Sequence, residues 1–255
     1  EGVDIYYNTP AEQLVLKDGK VTGVIAKNDK GYFQLNAAKG VVVATGDYAN
    51  DKRMMDYYLP DVTNLDLKRT GRTGDGHKMI VWAGGRIENI GHTKMCHDMD
   101  SGPASIMNAP FMRVKMNGKR FCDETTGMEL MNCYLLGKED RGYYCQIFDS
   151  AYMEKTAGWG MKLDDPENLK NWMPEEKTEK KGVIESLIDT YKADNLEELA
   201  SKLHIKDTDA FLKSVRKYNE IAKTGKDTEY GVPAKFLTTI DQPPYYGIRR
   251  HIRFT

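Results

Sequence analysis

Alternation of apolar and polar residues near the start of the chain predicts β-strands. Runs of this kind at 11–16 and 21–26 flank Asp18-Gly19, a dipeptide typical of the tight turn of a hairpin. A third run at 32–36 has the same two-residue period. We therefore predict a three-stranded meander.

A continuous apolar run replaces the alternation at 40–46, where Gly-Val-Val-Val-Ala is followed by Thr-Gly. Consecutive β-branched residues are typical of a strand that is buried on both faces, as in a parallel sheet. Glycine at the end of such a strand allows a sharp turn and a close approach by a ligand. We predict a buried parallel strand here, which would make the first part of the chain an α/β unit.

After this run, the sequence pattern predicts helices. Short helices are predicted at 51–58 and 77–83, with the sequence Thr-Gly-Asp-Gly at 73–76 before the second helix and a Gly-Gly pair after it. The segment 91–110 is rich in Met, Gly, Asp and Pro and has no period, so we predict an irregular conformation there.

The second half of the chain mixes strands with amphipathic segments. An Asn-Gly turn at 117–118 and a strand at 143–148 are predicted, followed by a polar, solvated excursion at 160–182. Apolar stripes at helical spacing predict helices at 183–191 and 208–223.

A further helix is predicted to begin after Asn195, with Glu198 at the capping-box position. Gly225 is predicted to end the last helix. We interpret these apolar stripes as core and not as cofactor contacts.

Composition argues against several classes of protein but does not identify a functional site. The 255 residues are 40% hydrophobic with a net charge of −1, so no charge excess favours nucleic acid or an anionic membrane. No apolar run approaches the roughly 20 residues that span a bilayer. The four cysteines lack zinc or iron–sulfur spacing, so no metal site is predicted. The strand-like pattern already present at residue 1 is interpreted as the interior of a longer polypeptide.

Two glycine motifs are candidates for ligand binding. Gly46 could end a ligand-binding strand or an ordinary strand-to-loop turn, and the residues alone favour the ordinary turn. The motif at 73–76 opens a helix whose free N–H groups would suit an anion or a polar ring oxygen. Asp75 could equally be a simple N-cap.

The order and spacing of several motifs resemble those of a known enzyme family. Ala-Thr-Gly at 44–46 and Thr-Gly-Asp-Gly at 73–76 are followed by Asn-Gly-Lys-Arg-Phe-Cys-Asp-Glu at 117–124, by the run 218–231 and by Pro-Pro-Tyr-Tyr at 243–246. This arrangement resembles the FAD-dependent oxidoreductases of the fumarate reductase and succinate dehydrogenase flavoprotein family, which includes urocanate reductases and ketosteroid dehydrogenases.

The resemblance implies an α/β FAD-binding domain with an inserted α+β capping domain. Residues 1–95 would belong to the FAD-binding domain, 96–235 to the capping domain, and 236–255 to the return into the FAD-binding domain. The family's N-terminal Gly-x-Gly-x-x-Gly fingerprint has no counterpart here. We therefore expect these residues alone to bind FAD weakly or not at all.

The implied activity is hydride transfer between FAD and an activated C=C bond of a small molecule, with a protein acid that handles the second proton. His97 matches a position where the family often has a substrate-contacting histidine, and Tyr246 matches the acid of ketosteroid dehydrogenases. The alternatives are a polar turn residue for His97 and a packed core aromatic for Tyr246. The implied cofactor-binding residues are Ala11, Ala44, Thr45, Gly46, Gly74 and Asp75.

Departures from the family pattern bear on the substrate. The second glycine of Ala-Thr-Gly-Gly is Asp47, whose carboxylate would repel a pyrophosphate unless it points away. Our alignment puts Met107, Ala104 and Met153 where fumarate reductases have an Arg–Glu–Arg proton relay, and no Arg or Glu occurs at 99–112. We therefore expect Met107 and Met153 to contact a larger, apolar enone, enoate or steroid-like substrate in place of fumarate.

Other interpretations stay open. The chain could be a non-catalytic, cap-like binding domain, a flavoprotein whose flavin half lies on a separate chain, or a fumarate- or urocanate-type reductase with a different proton relay. An electron-donor protein or domain is a further expected partner. Relatives occur in the bacterial cytoplasm and cell envelope, so no compartment is assigned.

Several charged residues near these motifs are expected to be structural. Glu124 is expected to pair with Arg120 or to cap a loop. The cluster Arg249, Arg250 and Arg253 is expected to face water, with a carboxylate clamp as the alternative.

Overall fold

The computed structural model describes residues 2–92 and 95–254, which form two compact units. The first unit contains residues 2–63 and 67–92, and the second contains 64–66 and 95–254. Within these described residues, no helix has both the length and the apolar character needed to cross a membrane.

An antiparallel sheet in the first unit confirms the predicted meander. It consists of β1 (Ala11–Lys17), β2 (Lys20–Asn28) and β3 (Gly31–Asn36), in that order. Asp18 and Gly19 adopt positive φ values of 51° and 73°, as the hairpin turn between β1 and β2 requires.

The predicted buried strand at 40–46 is wrong. These residues belong to no strand, and Val42 is 92% exposed. All strand pairs in the described part of the chain are antiparallel, so no parallel neighbour is present there to accept the N–H groups of this segment. A β-branched composition favours a strand only where a neighbouring strand completes the ladder.

Both predicted helices of the first unit are confirmed. α1 (Lys52–Tyr58) begins after Asp51, whose Oδ1 accepts a hydrogen bond from the Met54 N–H at 2.9 Å. A 3₁₀ turn, Pro60–Val62, follows α1. The second helix is α2 (Asp75–Trp82).

The second unit is built on two antiparallel sheets. A two-stranded ladder joins β4 (Cys96–His97) to the last strand, β9 (Arg253–Phe254). A larger sheet has the order β5-β6-β8-β7. Its strands are β5 (Met112–Lys115), β6 (Tyr143–Asp149), β7 (Thr190–Ala193) and β8 (Tyr245–His251).

The predicted Asn-Gly turn follows β5. Gly118 has a φ of 76°, and its N–H donates to the Lys115 carbonyl at 2.9 Å. The chain then returns to pair Arg120 with Val114.

Short helices and 3₁₀ turns connect these strands. The helices are α3 (Ala104–Met107), α4 (Met128–Asn132), α5 (Tyr152–Lys155) and α6 (Pro166–Lys170). The 3₁₀ turns are Cys133–Leu135, Ala157–Trp159 and Ala234–Phe236. The segment 91–110 was predicted to be irregular, and it contains only the short elements β4 and α3 in its described part.

Two of the predicted helices are confirmed, and both pack on one face of the larger sheet. α7 (Leu196–Lys202) begins after Asn195, whose Oδ1 accepts from the Glu198 N–H at 2.8 Å. α8 (Thr208–Thr224) ends at Gly225 in the left-handed conformation. Buried members of this core include Val114, Ile147, Leu199, Leu203, Phe211 and Val215.

The opposite face carries an aromatic core. Phe111 stacks on Phe148 with ring centroids 4.6 Å apart, and Tyr152 and Trp159 pack around this pair. Side chains alternate between the faces of a strand, so β6 and β8 contribute to both cores.

The predicted helix at 183–191 is wrong. Residues 183–189 form turns and bends, and Thr190–Ala193 is the edge strand β7. Thr190 is fully buried and donates through Oγ1 to the Ser101 carbonyl at 2.9 Å. Pairing with β8 and this buried contact outweigh a local helical pattern that is too short to be stable alone.

The domain boundaries stay predictions. The two compact units divide near residue 95, close to the predicted start of the capping domain. The segment 236–255 was predicted to return to the FAD-binding domain, and its strand β8 pairs inside the sheet of the second unit.

Candidate functional site

The two glycine motifs of the first unit lie in contact with each other. A Cβ atom at Gly76 would lie 2.1 Å from Thr45 Oγ1 and 2.6 Å from Val43 Cγ1. Only glycine therefore allows the first turn of α2 to approach the 43–47 segment so closely. Spacing in the sequence suggested a relationship between these motifs, and the fold brings them together.

Gly74 completes this junction. Its N–H donates to the Asp47 carbonyl at 3.2 Å, and its φ of +71° is in the left-handed region. A Cβ atom there would lie 2.7 Å from Tyr48 Cβ. Gly74 is thus the N-cap of α2, so the alternative that Asp75 is the N-cap is wrong.

The N-terminus of α2 is suited to an anion or a polar ring oxygen. The first N–H groups of a helix have no intrahelical acceptor, and the helix dipole is positive at this end. Asp75 is the first residue of α2; its Oδ2 accepts from Thr73 Oγ1 at 2.5 Å, and its side chain is 63% exposed. Ala44, Thr45 and Gly46 are exposed beside this helix end.

The negative charge of Asp47 is compensated by partners that the sequence did not reveal. Its Oδ1 accepts from the Ala49 N–H at 2.8 Å, and its Oδ2 pairs with Arg72. Burial opposes ionisation, but the Ala49 N–H and the Arg72 guanidinium hold the pKa of Asp47 below its ordinary value. The repulsion of a pyrophosphate expected from this carboxylate is therefore reduced.

An aromatic and histidine cluster borders a cavity of about 470 Å³ in the first unit. The Tyr48 hydroxyl contacts His92 Nδ1, and the Tyr58 ring stacks on His92 with centroids 4.4 Å apart. Burial raises the pKa of Tyr48. These residues are far apart in the sequence and share no motif, so sequence reasoning missed them.

Ala11 lies exposed at the start of β1. Its role near an adenine, like the roles of the other cofactor-binding candidates, stays a prediction.

The substrate candidates of the second unit lie in different surroundings. His97 is in β4 opposite Arg253 of β9 and is half-buried. Met107 is the last residue of α3 and is 6% exposed, whereas Met153 is 41% exposed on α5.

Tyr246 is packed in the aromatic core. Its ring stacks on Phe148 at 5.5 Å and lies edge-on to Tyr152 at 6.1 Å. Burial raises the pKa of its phenol, so the group stays protonated at neutral pH and is a weaker acid than an exposed tyrosine. It also borders a surface cavity of about 380 Å³ together with Lys192 and Lys202. The packing agrees with the core-aromatic alternative, and a catalytic role stays a prediction.

Arg120 and Glu124 form a structural clamp, which confirms the expected pairing. Arg120 Nη2 contacts Glu124 Oε2 at 2.6 Å and Asp227 Oδ2 at 2.7 Å, and all three side chains are almost fully buried. The guanidinium lies between the rings of Tyr218 and Tyr230, 5.1 and 4.9 Å from their centroids. This motif therefore fixes the turn at 117–124 to the chain after α8 and does not face a ligand.

The expectation that the C-terminal arginines face water is wrong for two of them. Arg250 is fully buried and Arg253 is 9% exposed, whereas Arg249 pairs with Asp189 at 2.7 Å on the other face of β8. Burial lowers the pKa of Arg250, and the nearby Asp98 carboxylate opposes that change.

Comparison with known proteins gives consistent findings. The family described as FAD binding domain matches residues 1–252. "Probable fumarate reductase Ifc3" of Shewanella frigidimarina is 28% identical over 98% of this chain, which covers 39% of that protein. Vinyl phenol reductase of Lactiplantibacillus plantarum is 25% identical over 98% of this chain, which covers 55% of that protein.

A solved structure shows the same fold. The open conformation of a flavocytochrome c3 fumarate reductase superposes with a TM-score of 0.72 over 99% of this chain and 42% of that chain, at 24% identity. The chain thus spans about 40 to 55% of the length of these curated relatives and of this structure.

Proposed function

This chain belongs to the FAD binding domain family, as the resemblance predicted, and from that premise we propose that it is part of a flavin-dependent reductase or dehydrogenase that acts on an activated C=C bond of an apolar organic molecule larger than fumarate. FAD is the cofactor of the family. When bound, FAD supplies the hydride exchange with a substrate carbon.

The residues of the first unit fit such a cofactor. Gly76 allows the N-terminus of α2 to lie against the 43–47 segment, and Arg72 compensates the carboxylate of Asp47. We propose that Thr45, Gly46 and the free N–H groups at the start of α2, from Asp75 onward, hold polar oxygens of the dinucleotide. The N–H of Gly74 is already bonded to the Asp47 carbonyl, so Gly74 is proposed as a backbone contact that lets the dinucleotide approach. Ala11 and Ala44 are proposed as further contacts.

One observation carries the substrate proposal. The segment 103–112 contains no Arg or Glu, and several of its apolar side chains form a buried apolar wall, whereas Ala104 and Asn108 are exposed. A dicarboxylate such as fumarate requires cationic partners, which this wall does not offer. The buried members of the wall are Ile106, Met107, Ala109 and Phe111. Met112 is buried in the other core, on the face of the sheet that α7 and α8 cover.

The relatives include proteins of both substrate classes. One is named a probable fumarate reductase and another a vinyl phenol reductase, and vinyl phenol is an aromatic molecule that has a C=C bond and no carboxylate. The wall at 103–112 favours the second class. His97 and Met107 are proposed as substrate contacts and Tyr246 as a proton donor. Met153 is proposed as a contact at the exposed side of α5.

The test is an anaerobic titration of the full-length flavoprotein after chemical reduction of its flavin. We expect vinyl phenol or an enone steroid to reoxidise the flavin, and fumarate to leave it reduced. Rapid reoxidation by fumarate alone would contradict the proposal and support a fumarate-type reductase with another proton relay. A full-length protein that takes up no FAD would support a non-catalytic binding domain.

A further inference from the structure

A buried polar network crosses the face of the larger sheet that lies under the apolar wall. Gln146 on β6 and Arg250 on β8 are both fully buried. The register pairs Tyr144 with Arg250 and Gln146 with Ile248, so Gln146 and Arg250 are diagonal neighbours on one face. Arg250 Nε donates to Gln146 Oε1 at 2.9 Å. This bond directs the amide nitrogen of Gln146 away from Arg250.

The remaining donors of this pair bind the backbone of one irregular segment. Arg250 Nη1 and Nη2 donate to the carbonyls of Gly102 and Pro103, each at 3.0 Å. Gln146 Nε2 shares its hydrogens among three carbonyls at 3.0, 3.3 and 3.2 Å. These carbonyls belong to Ile106, Met107 and Ala109.

Asp98 extends the network to the residue beside His97. Its Oδ1 accepts from the N–H groups of Asp100 and Ser101 at 3.1 and 3.2 Å, and its Oδ2 lies 3.5 Å from Arg250 Nη1. The network thus fixes a segment that begins next to His97 and ends past Met107.

Glycine allows the segment to lie within reach of the network. A Cβ atom at Gly102 would lie 2.9 Å from Ile248 Cδ1 and from Thr190 Oγ1. A side chain at 102 would require Ile248 and Thr190 or the backbone of the segment to move.

Stability alone is a poor explanation for this arrangement. A buried charged group is often no more stabilising than well-packed apolar residues of the same volume, because its desolvation is costly. A network of this kind instead specifies one conformation of the groups that it binds. Here the bound groups are backbone carbonyls of a segment that has only one short helix of its own.

We propose that Arg250 and Gln146 are positioning residues that hold the 98–109 segment in the shape that admits a bulky apolar C=C substrate. This inference rests on the proposed function. Arg250 does not itself bind a substrate carboxylate, because its guanidinium is buried and engaged with carbonyls, Gln146 and Asp98. The two residues act on the substrate only through the backbone around His97 and Met107.

The test uses Arg250→Met and Gln146→Glu in the full-length protein loaded with FAD. Methionine removes every donor of Arg250 while keeping much of its volume. Glutamate keeps an acceptor for Arg250 Nε but removes the donors to the carbonyls of 106–109. Arg216→Met is the control, because it removes an exposed arginine from α8, which packs against the opposite face of the sheet.

Two readouts are compared. Hydrogen exchange of the amides at 98–109 is expected to accelerate about ten-fold or more in both test variants and to be unchanged in Arg216→Met. The KM for vinyl phenol is expected to rise about ten-fold in the test variants, while kcat changes less than about three-fold. Gln146→Glu also covers the case in which Arg250→Met fails to fold.

The outcomes separate this inference from the proposed function. Unchanged exchange at 98–109 in Gln146→Glu would overturn the positioning role, whatever the substrate. Accelerated exchange with an unchanged KM for vinyl phenol would overturn the link between this segment and the substrate. A wild-type enzyme that turns over fumarate and not vinyl phenol would contradict the proposed function, and the exchange measurement would still decide whether the network positions the segment.

Discussion

The two units of the chain differ in how completely their strands and apolar side chains are buried. Six of the seven residues of β6 in the second unit are buried, whereas no residue of β3 in the first unit is. The valine-rich segment of the first unit lies outside any strand, with Val42 92% exposed. The second unit therefore carries its own core on both sides of a sheet. The first unit buries a smaller set of apolar side chains, among them Leu14, Met55 and Met79, and has close backbone approaches at Gly74 and Gly76.

This difference predicts which residues control stability and which control ligand binding. In the second unit the critical groups are buried side chains, because they are enclosed by packed neighbours. In the first unit the critical groups are glycines and exposed polar groups around the 43–47 segment. Substitutions should therefore affect unfolding most in the second unit and FAD binding most in the first.

The largest effect on stability is expected from Arg120→Met. The change leaves Glu124 and Asp227 buried without their cation, so the free energy of unfolding of the second unit should fall by about 3–5 kcal/mol. The control is Arg141→Met, whose pair with Asp66 is exposed, and it should cost less than about 1 kcal/mol. Urea denaturation measures both. Equal losses would contradict the clamp.

The same clamp predicts a pH dependence. Burial opposes ionisation of Asp227, but Arg120 and two backbone N–H groups hold its pKa well below the ordinary value. A carboxyl whose pKa is lowered by folding contributes stability above its unfolded pKa of about 4 and loses that contribution as the pH falls. Arg120→Met should therefore flatten the loss of stability between roughly pH 4 and pH 2.

The sequence was sufficient to predict elements whose signals are local. The hairpin at Asp18-Gly19, the cap at Asn195 and the end of α8 at Gly225 depend on turn and cap chemistry within a few residues, and all are confirmed. The strand at 40–46 and the helix at 183–191 failed because pairing partners, which local patterns do not encode, decide both.

The features of the candidate site also divide into those that local sequence predicts and those that depend on tertiary contacts. The glycine motifs of the first unit were visible because backbone requirements select glycine at fixed positions. The contacts between Arg72 and Asp47, and between Arg250 and Gln146, were not visible, since each pair is formed by tertiary folding. The prediction that Arg250 faces water was wrong because an arginine in a strand gives no sign of which face it occupies.

Gly76→Ala tests most directly whether a close backbone contact in the first unit controls FAD binding. The new Cβ would lie 2.1 Å from Thr45 Oγ1, so α2 or the 43–47 segment must move, at a cost of about 1–3 kcal/mol. Flavin fluorescence in the full-length protein should show FAD affinity reduced about ten-fold or more. Gly91→Ala is the control, because a Cβ atom there would have no neighbour within 4 Å among the described residues. Normal affinity in Gly76→Ala would exclude this junction from the FAD site.

Substitutions at two helix caps test whether the two units unfold separately. Asn195→Ala removes the cap of α7 in the second unit, and Asp51→Ala removes the cap of α1 in the first. Each should cost about 1 kcal/mol. Asp51→Asn keeps a capping oxygen and serves as the control. Separate units predict that each alanine variant shifts only one thermal transition, whereas a single shared transition shifted by both would show that they unfold together.

The smallest effect on stability is expected from Arg72→Met. Both side chains of its pair with Asp47 are partly exposed, at 28% and 37%, so the loss should be below about 1 kcal/mol. The pair's contribution should be present above roughly pH 4 and disappear as the pH falls, because folding lowers the pKa of Asp47.

Binding of FAD should respond more clearly than stability to the same substitution. Without Arg72, the Asp47 carboxylate keeps the Ala49 N–H as a partner but loses its cation, and it would repel the phosphates of a dinucleotide held at the 43–47 segment. The affinity for FAD should therefore fall about five-fold at low salt. High salt should reduce this loss, since it screens exposed charges. The double variant Arg72→Met/Asp47→Asn removes both charges and should recover most of the affinity. A double variant as weak as Arg72→Met would mean that Arg72 contacts the dinucleotide itself and does not act through Asp47.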